Sequence, residues 1–122
     1  MHKKEGFLKN RLRSVGFAFR GAFLLIRTES SIQIQLFIAA VVTITGFYFE
    51  ISKMEWIAQF LAVGAVMGIE GLNTAIEKLC DYVQPNFDKK IGLIKDISAG
   101  AVMLVSIAAV AVGLIIYLPR IF

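Results

Sequence analysis

The sequence has 122 residues, 57% of them hydrophobic and 18% charged, with a net charge of +4 and one cysteine. That apolar share excludes an ordinary soluble domain, and the length leaves no room for a sizeable soluble module beside a few membrane helices. A lone cysteine excludes an intrachain disulfide, a zinc cluster and a dithiol redox pair, so Cys80 is expected to serve packing.

The first segment is polar and basic and leads into a helical pattern rather than an apolar core with a small-residue cleavage site, so the N-terminus is expected to be retained. Leu8, Leu12, Val15, Phe19, Phe23 and Ile26 follow three-and-four spacing, while Lys9, Arg13, Arg20 and Arg27 gather on a flank. This pattern predicts an amphipathic helix over 6–28, lying in the membrane interface with its cations at headgroup level. The basic residues lie beside apolar segments, which suits anionic lipid headgroups and argues against nucleic acid as a partner.

From Ser30 to Phe49 the chain reads SSIQIQLFIAAVVTITGFYF without a charge, and a first span is predicted over 31–50. Trp56 to Ile69 is also uncharged but too short to cross alone. It spans only if the helix continues through Glu70 and Asn73 towards Glu77, which predicts a second span over 55–84. Ile97 to Pro119 is again uncharged and predicts a third span over 91–118. The expectation is a single all-α membrane domain, 1–122, with an amphipathic surface helix and three transmembrane helices.

Short cytoplasmic segments are enriched in Lys and Arg. Lys3, Lys4, Lys9, Arg11, Arg13, Arg20 and Arg27 precede the first span, and Lys78, Lys89, Lys90 and Lys95 flank the turn between the second and third, whereas EISKME has only Lys53. The N-terminus and the Pro85–Lys95 loop are therefore expected in the cytoplasm, with EISKME and the C-terminus outside.

The stretch EGLNTAIEKLCD then stands out, because it places acids on a membrane helix. At 100° per residue, Glu70, Glu77 and Asp81 fall within about 40° of one another and Asn73 about 60° from Glu70. A rise of about 1.5 Å per residue from Trp56 puts Glu70 about 20 Å and Glu77 about 30 Å along the helix. Gly64, Gly68, Gly71 and Ala75 form a roughly opposite stripe of small residues, spaced as where membrane helices approach closely. An ionisable group inside a membrane costs at least about 2.5 to 3.5 kcal/mol on insertion scales, so the acids need partners or a purpose. Solvation, or pairing with Lys78 and Lys95, accounts for Asp81 as well as any role does. Glu70, too deep for easy hydration, suits a general base.

Glu29 stands at the junction before the first span, and Lys95-Asp96 opens the third. Carboxylates offer oxygen ligands to a hard divalent cation, and an ammonium suits phosphate. A base, metal ligands and a phosphate-binding cation where cytosol meets lipid suit phosphoryl transfer to a lipid hydroxyl. No GxxxxGK[ST] or GxGxxG loop is present.

EGLNTAIEKLCD followed by KDISAGAV resembles the E-x-L-N-[ST]-A-I-E-x-x-x-D … K-D-x-x-[AS] signature of the small prokaryotic integral-membrane diacylglycerol kinases and the similar undecaprenol kinases. The resemblance runs from the amphipathic helix through RTES to the final proline. It implies a homotrimer in the bacterial cytoplasmic (inner) membrane, with composite active sites on the cytoplasmic side and MgATP phosphorylating a lipid alcohol. By motif position, Glu70 resembles the catalytic base, and Glu29 and Glu77 the Mg2+ ligands. Glu29, Glu77, Lys95 and Asp96, with Asn86 and Asp88 in the loop, are expected on ATP. Asn73, Asp81 and Phe19 are expected to orient substrate or phosphate. Phe17, Phe19, Asn10 and Gln35 stand where diacylglycerol-specific members carry Tyr, Trp, Arg and Glu, which bears on the lipid rather than the chemistry. RTES, LNTAIE and GLIIYLPRIF are closer to the undecaprenol type.

Two other classes compete. A small oligomeric transporter or channel also uses intramembrane carboxylates, but it needs them accessible from both sides, and here the outer half of each span lacks charge. A structural partner docking through the glycine stripe leaves the acids unexplained.

Overall fold

The computed structural model describes residues 6–122, leaving Lys3 and Lys4 of the charge pattern outside the described residues. The described chain is four helices and their connections: α1 (Phe7–Thr28), α2 (Ser30–Phe49), α3 (Lys53–Val83) and α4 (Lys89–Ile121). The last three are each long and apolar enough to cross a membrane.

One residue separates α1 from α2. Glu29 is extended (φ −103°, ψ 117°), ending one helix and starting the next. The last carbonyls of α1 have no helical partners, and the Gln33 amide of α2 donates to two of them, Ile26 O and Arg27 O, both at 3.1 Å. Leu25 lies against α3 at Gly71, where a Cβ would come within 2.9 Å of the leucine methyl. No residue of α1 is buried, and its apolar face is left open.

α2 ends in a tight reversal. Glu50 adopts the left-handed conformation (φ 51°), and the N–H groups of Glu50 and Ile51 return to carbonyls of the last α2 turn. Gly46 is buried there because Trp56 crosses it, and a Cβ at 46 would stand 2.7 Å from the indole ring. α3 opens on a capping box, Ser52 N–H donating to Glu55 Oε1 (2.9 Å) and Glu55 N–H to Ser52 Oγ (3.2 Å). It runs unbroken through Glu70 and Asn73 to Val83. α4 is capped by Asp88, whose Oδ1 accepts from the N–H groups of Lys90 and Ile91.

α2 and α4 both run antiparallel to α3, and α3 packs most extensively on α4. Glu29, the end of α3 and the start of α4 therefore share one end of the molecule. The other end carries rings: Phe47 with Trp56 (4.9 Å), Trp56 with Phe60 (5.8 Å) and Phe49 with Tyr117 (6.1 Å). Aromatic residues gather this way at membrane–water boundaries. There Arg120 forks onto both Glu55 oxygens at 2.9 and 2.8 Å, tying the last turn of α4 to the first of α3.

The small-residue stripe behaves differently from its sequence pattern. Gly71 meets Leu25, but Gly64 and Gly68 meet nothing within 4 Å in this chain. Close approaches occur at Gly71 within the stripe and at Gly46 outside it.

Candidate active site at the Glu29 end

Helix periodicity places Glu70, Asn73, Glu77 and Asp81 along one side of α3, and the neighbouring helices divide that side between them. Glu70 faces α2, where the Gln35 amide donates to Glu70 Oε1 at 3.5 Å. Asn73 faces α4, and the hydroxyl of buried Ser98 donates to Asn73 Oδ1 at 2.7 Å. With its carbonyl oxygen so engaged, the asparagine keeps its NH2 donors for another acceptor. One turn beyond Glu77, Lys95 Nζ donates to Asp81 Oδ1 at 2.6 Å.

Glu29 precedes α2 without capping it, because its side chain bonds no N–H of that helix. The carboxylate turns instead to α3, with Oε2 3.7 Å from Lys78 Nζ, so Glu29 stands beside the turn that carries Glu77. Glu77, Asp96 and Asn86 are exposed. Asp88 is occupied by its cap. Phe19 lies on the open face of α1, 73% exposed. A small cavity of about 160 Å3 lies inside the α3–α4 turn, lined by Asp81, Asn86, Asp88 and Lys95 among others.

The structure thus brings Glu29 to the Glu77–Lys78 turn and couples Lys95 to Asp81. It does not gather three or more carboxylate, histidine or cysteine side chains into one cluster among the described residues. Two carboxylates from different elements fit Mg2+, which is commonly held by one or two carboxylates, with substrate phosphates and water completing its shell. They do not fit a closed all-protein cage.

Sequence reasoning missed Ser98 as the partner of Asn73 and Gln35 as the partner of Glu70. The available signal was a polar side chain in an otherwise apolar run, which a scan for charges passes over.

Fold and site together define a small all-α membrane protein with Glu29, Glu77, Asp81 and Asp96 towards the same end. The model of the family described as prokaryotic diacylglycerol kinase matches residues 16–117, and the chain belongs to that family. It is similar to an undecaprenol kinase of Bacillus subtilis (strain 168), at 35% identity over 98% of this chain and 95% of that protein. It is also similar to a diacylglycerol kinase of Synechocystis sp., at 32% identity over 90% of this chain and 63% of that longer protein.

Proposed function

We propose that this protein is a lipid kinase that transfers the γ-phosphate of ATP to the hydroxyl of a membrane lipid alcohol, either undecaprenol or a diacylglycerol. Family membership supports the reaction class. The observation that carries the reading at this chain's own residues is Glu70. It is a partly buried carboxylate on a continuous spanning helix, held by a neutral amide rather than neutralised by a cation.

Phosphoryl transfer asks a protein chiefly for positioning, charge stabilisation and proton removal. Glu70 accepts the proton of the lipid hydroxyl, and the Gln35 N–H orients the carboxylate. Asn73, fixed by Ser98, directs its amide donors at the hydroxyl or the phosphate. Glu29 and Glu77 would hold Mg2+, which when bound offsets charge on the triphosphate. Lys95 exchanges its bond to Asp81 for a phosphate oxygen, and Asp81 keeps the ammonium aimed there while the site is empty. Asp96, Asn86 and Asp88 lie towards the same end for the nucleotide, and the basic α1 carries the interface. The site then faces the cytoplasm of the bacterial inner membrane, and a homotrimer would bring neighbouring copies to the faces left open in one chain.

Incubating the protein with ATP labelled at the γ-phosphate and, in parallel, purified undecaprenol and diacylglycerol tests the reading. Magnesium-dependent labelling of one alcohol is expected, with undecaprenol the first candidate because that relative matches nearly end to end. No label in either alcohol, nor in a whole lipid extract, would overturn it.

A further inference from the structure

A cavity of about 380 Å3 lies between α2, α3 and α4, separate from the small one at the α3–α4 turn. Its size falls in the range of small-ligand sites. Gln35 stands at one end, the same residue whose amide reaches Glu70. From there the cavity follows α2 to Val42, on the order of 10 Å at 1.5 Å per residue. Between its ends the walls are aliphatic apart from Ser106, with Ala109 and Gly113 of α4 leaving the space open.

The far end is polar but satisfied. The Tyr117 hydroxyl donates to Gln59 Oε1 at 2.6 Å, and the Gln59 amide donates to Val42 O at 3.2 Å. Gln59 is buried, so this network closes the cavity without asking a ligand for hydrogen bonds. An apolar occupant loses nothing there, whereas a polar one would find no partner along the walls except the Ser106 hydroxyl. At the Gln35 end the cavity meets a polar group that stands beside the Glu70 carboxylate.

We infer that this cavity holds the head-proximal part of the hydrocarbon chain of the lipid alcohol, with the hydroxyl left at Glu70; the inference rests on the kinase reading above. The cavity is open on one side, and the remainder of a long chain leaves through that side into the bilayer. Gly113 then determines chain fit. Gly113 lines the cavity and a Cβ built there meets nothing within 4 Å, so the backbone leaves room for a side chain at this position, and leucine also favours the helix over glycine.

The test uses the full-length protein in phospholipid vesicles, with undecaprenol and diacylglycerol analogues that carry a diazirine near the head end of the chain. Illumination is expected to label peptides spanning 59–66 and 106–117, with competition by the unlabelled alcohol and none by excess phosphatidylcholine. Gly113→Leu should abolish that labelling and raise the KM for the alcohol about tenfold, a pocket effect of ordinary size, while the KM for MgATP stays unchanged. Gly113→Ala should fall between. Labelling confined to α1 or the outer helix surfaces, labelling competed equally by phosphatidylcholine, or an unaltered alcohol KM in Gly113→Leu would overturn the inference and leave the kinase reading standing. Competed labelling in the cavity by a protein that phosphorylates neither alcohol would support the chain site and overturn the kinase reading.

Discussion

At Glu70, what matters is the kind of partner the carboxylate has. A cation would hold the anion in place and weaken it as a base, whereas the Gln35 amide, 3.5 Å away, orients it more gently. Glu70→Gln keeps the size and the polar contact but cannot take a proton. Turnover should fall by about 10²- to 10⁴-fold, the usual share of general base catalysis, while ATP affinity measured by nucleotide titration stays close to that of the unaltered protein. Ser98 offers a second test. Its hydroxyl is buried and donates to Asn73 at 2.7 Å, so Ser98→Ala leaves a carbonyl oxygen unpaired at a cost of about 1 to 3 kcal/mol. The thermal midpoint and kcat should both drop. In an Asn73→Ala background the same change should have little further effect, because both substitutions remove one interaction. Additive losses in that cycle would show that Ser98 acts elsewhere.

At the scale of the helices, the contact that sets the α2–α3 hairpin is Trp56 lying across Gly46. With 2.7 Å between a built Cβ and the indole, Gly46→Ala should destabilise by about 1 to 3 kcal/mol, the ordinary cost of overpacking, and Trp56→Phe should recover part of the loss. Chemical unfolding of the unaltered protein, the two single variants and the double variant measures this directly. Much at this scale was legible in the residues: uncharged runs marked the spans, and the α3 acids required that helix to continue past Ile69. The lateral contacts were not legible. α2 is apolar nearly all round, so its pattern marks no face, and nothing in it shows that Gln35 turns to α3 or that Gln33 folds back onto the end of α1. The glycines illustrate the same limit. Gly64 and Gly68 carry the spacing of close approach yet stand open in this chain, whereas Gly46 carries no such spacing and is closely packed. Rotation about a helix axis is decided by its neighbours, and sequence spacing records it only where polar and apolar faces differ.

Across the whole molecule the two ends are held by different forces. Near the Glu29 end the ion pairs are single contacts with one partner open to solvent, Lys78 beside Glu29 at 3.7 Å and Asp81 beside Lys95, which suits the proposed exchange of partners with a nucleotide. At the other end Arg120 meets both oxygens of Glu55 and also donates to Ile116 O at 2.7 Å, and both side chains are largely covered. Bidentate pairs of this kind are more directional and stronger than single ones, and Glu55 is already fixed by the capping box. This end therefore acts as a fastening between α3 and α4, next to the Tyr117–Gln59 closure of the cavity. Arg120→Ala should lower the thermal midpoint, and by more than loss of a single-contact exposed pair would. Arg120→Lys should recover only part of that loss, since an ammonium cannot make the forked contact. The proposed nucleotide site lies at the opposite end of two continuous helices, so the KM for MgATP should not move in either variant. Unfolding in a defined detergent together with steady-state kinetics checks both halves, and a large rise in nucleotide KM would mean that the two ends are coupled through α3 and α4 rather than independently held.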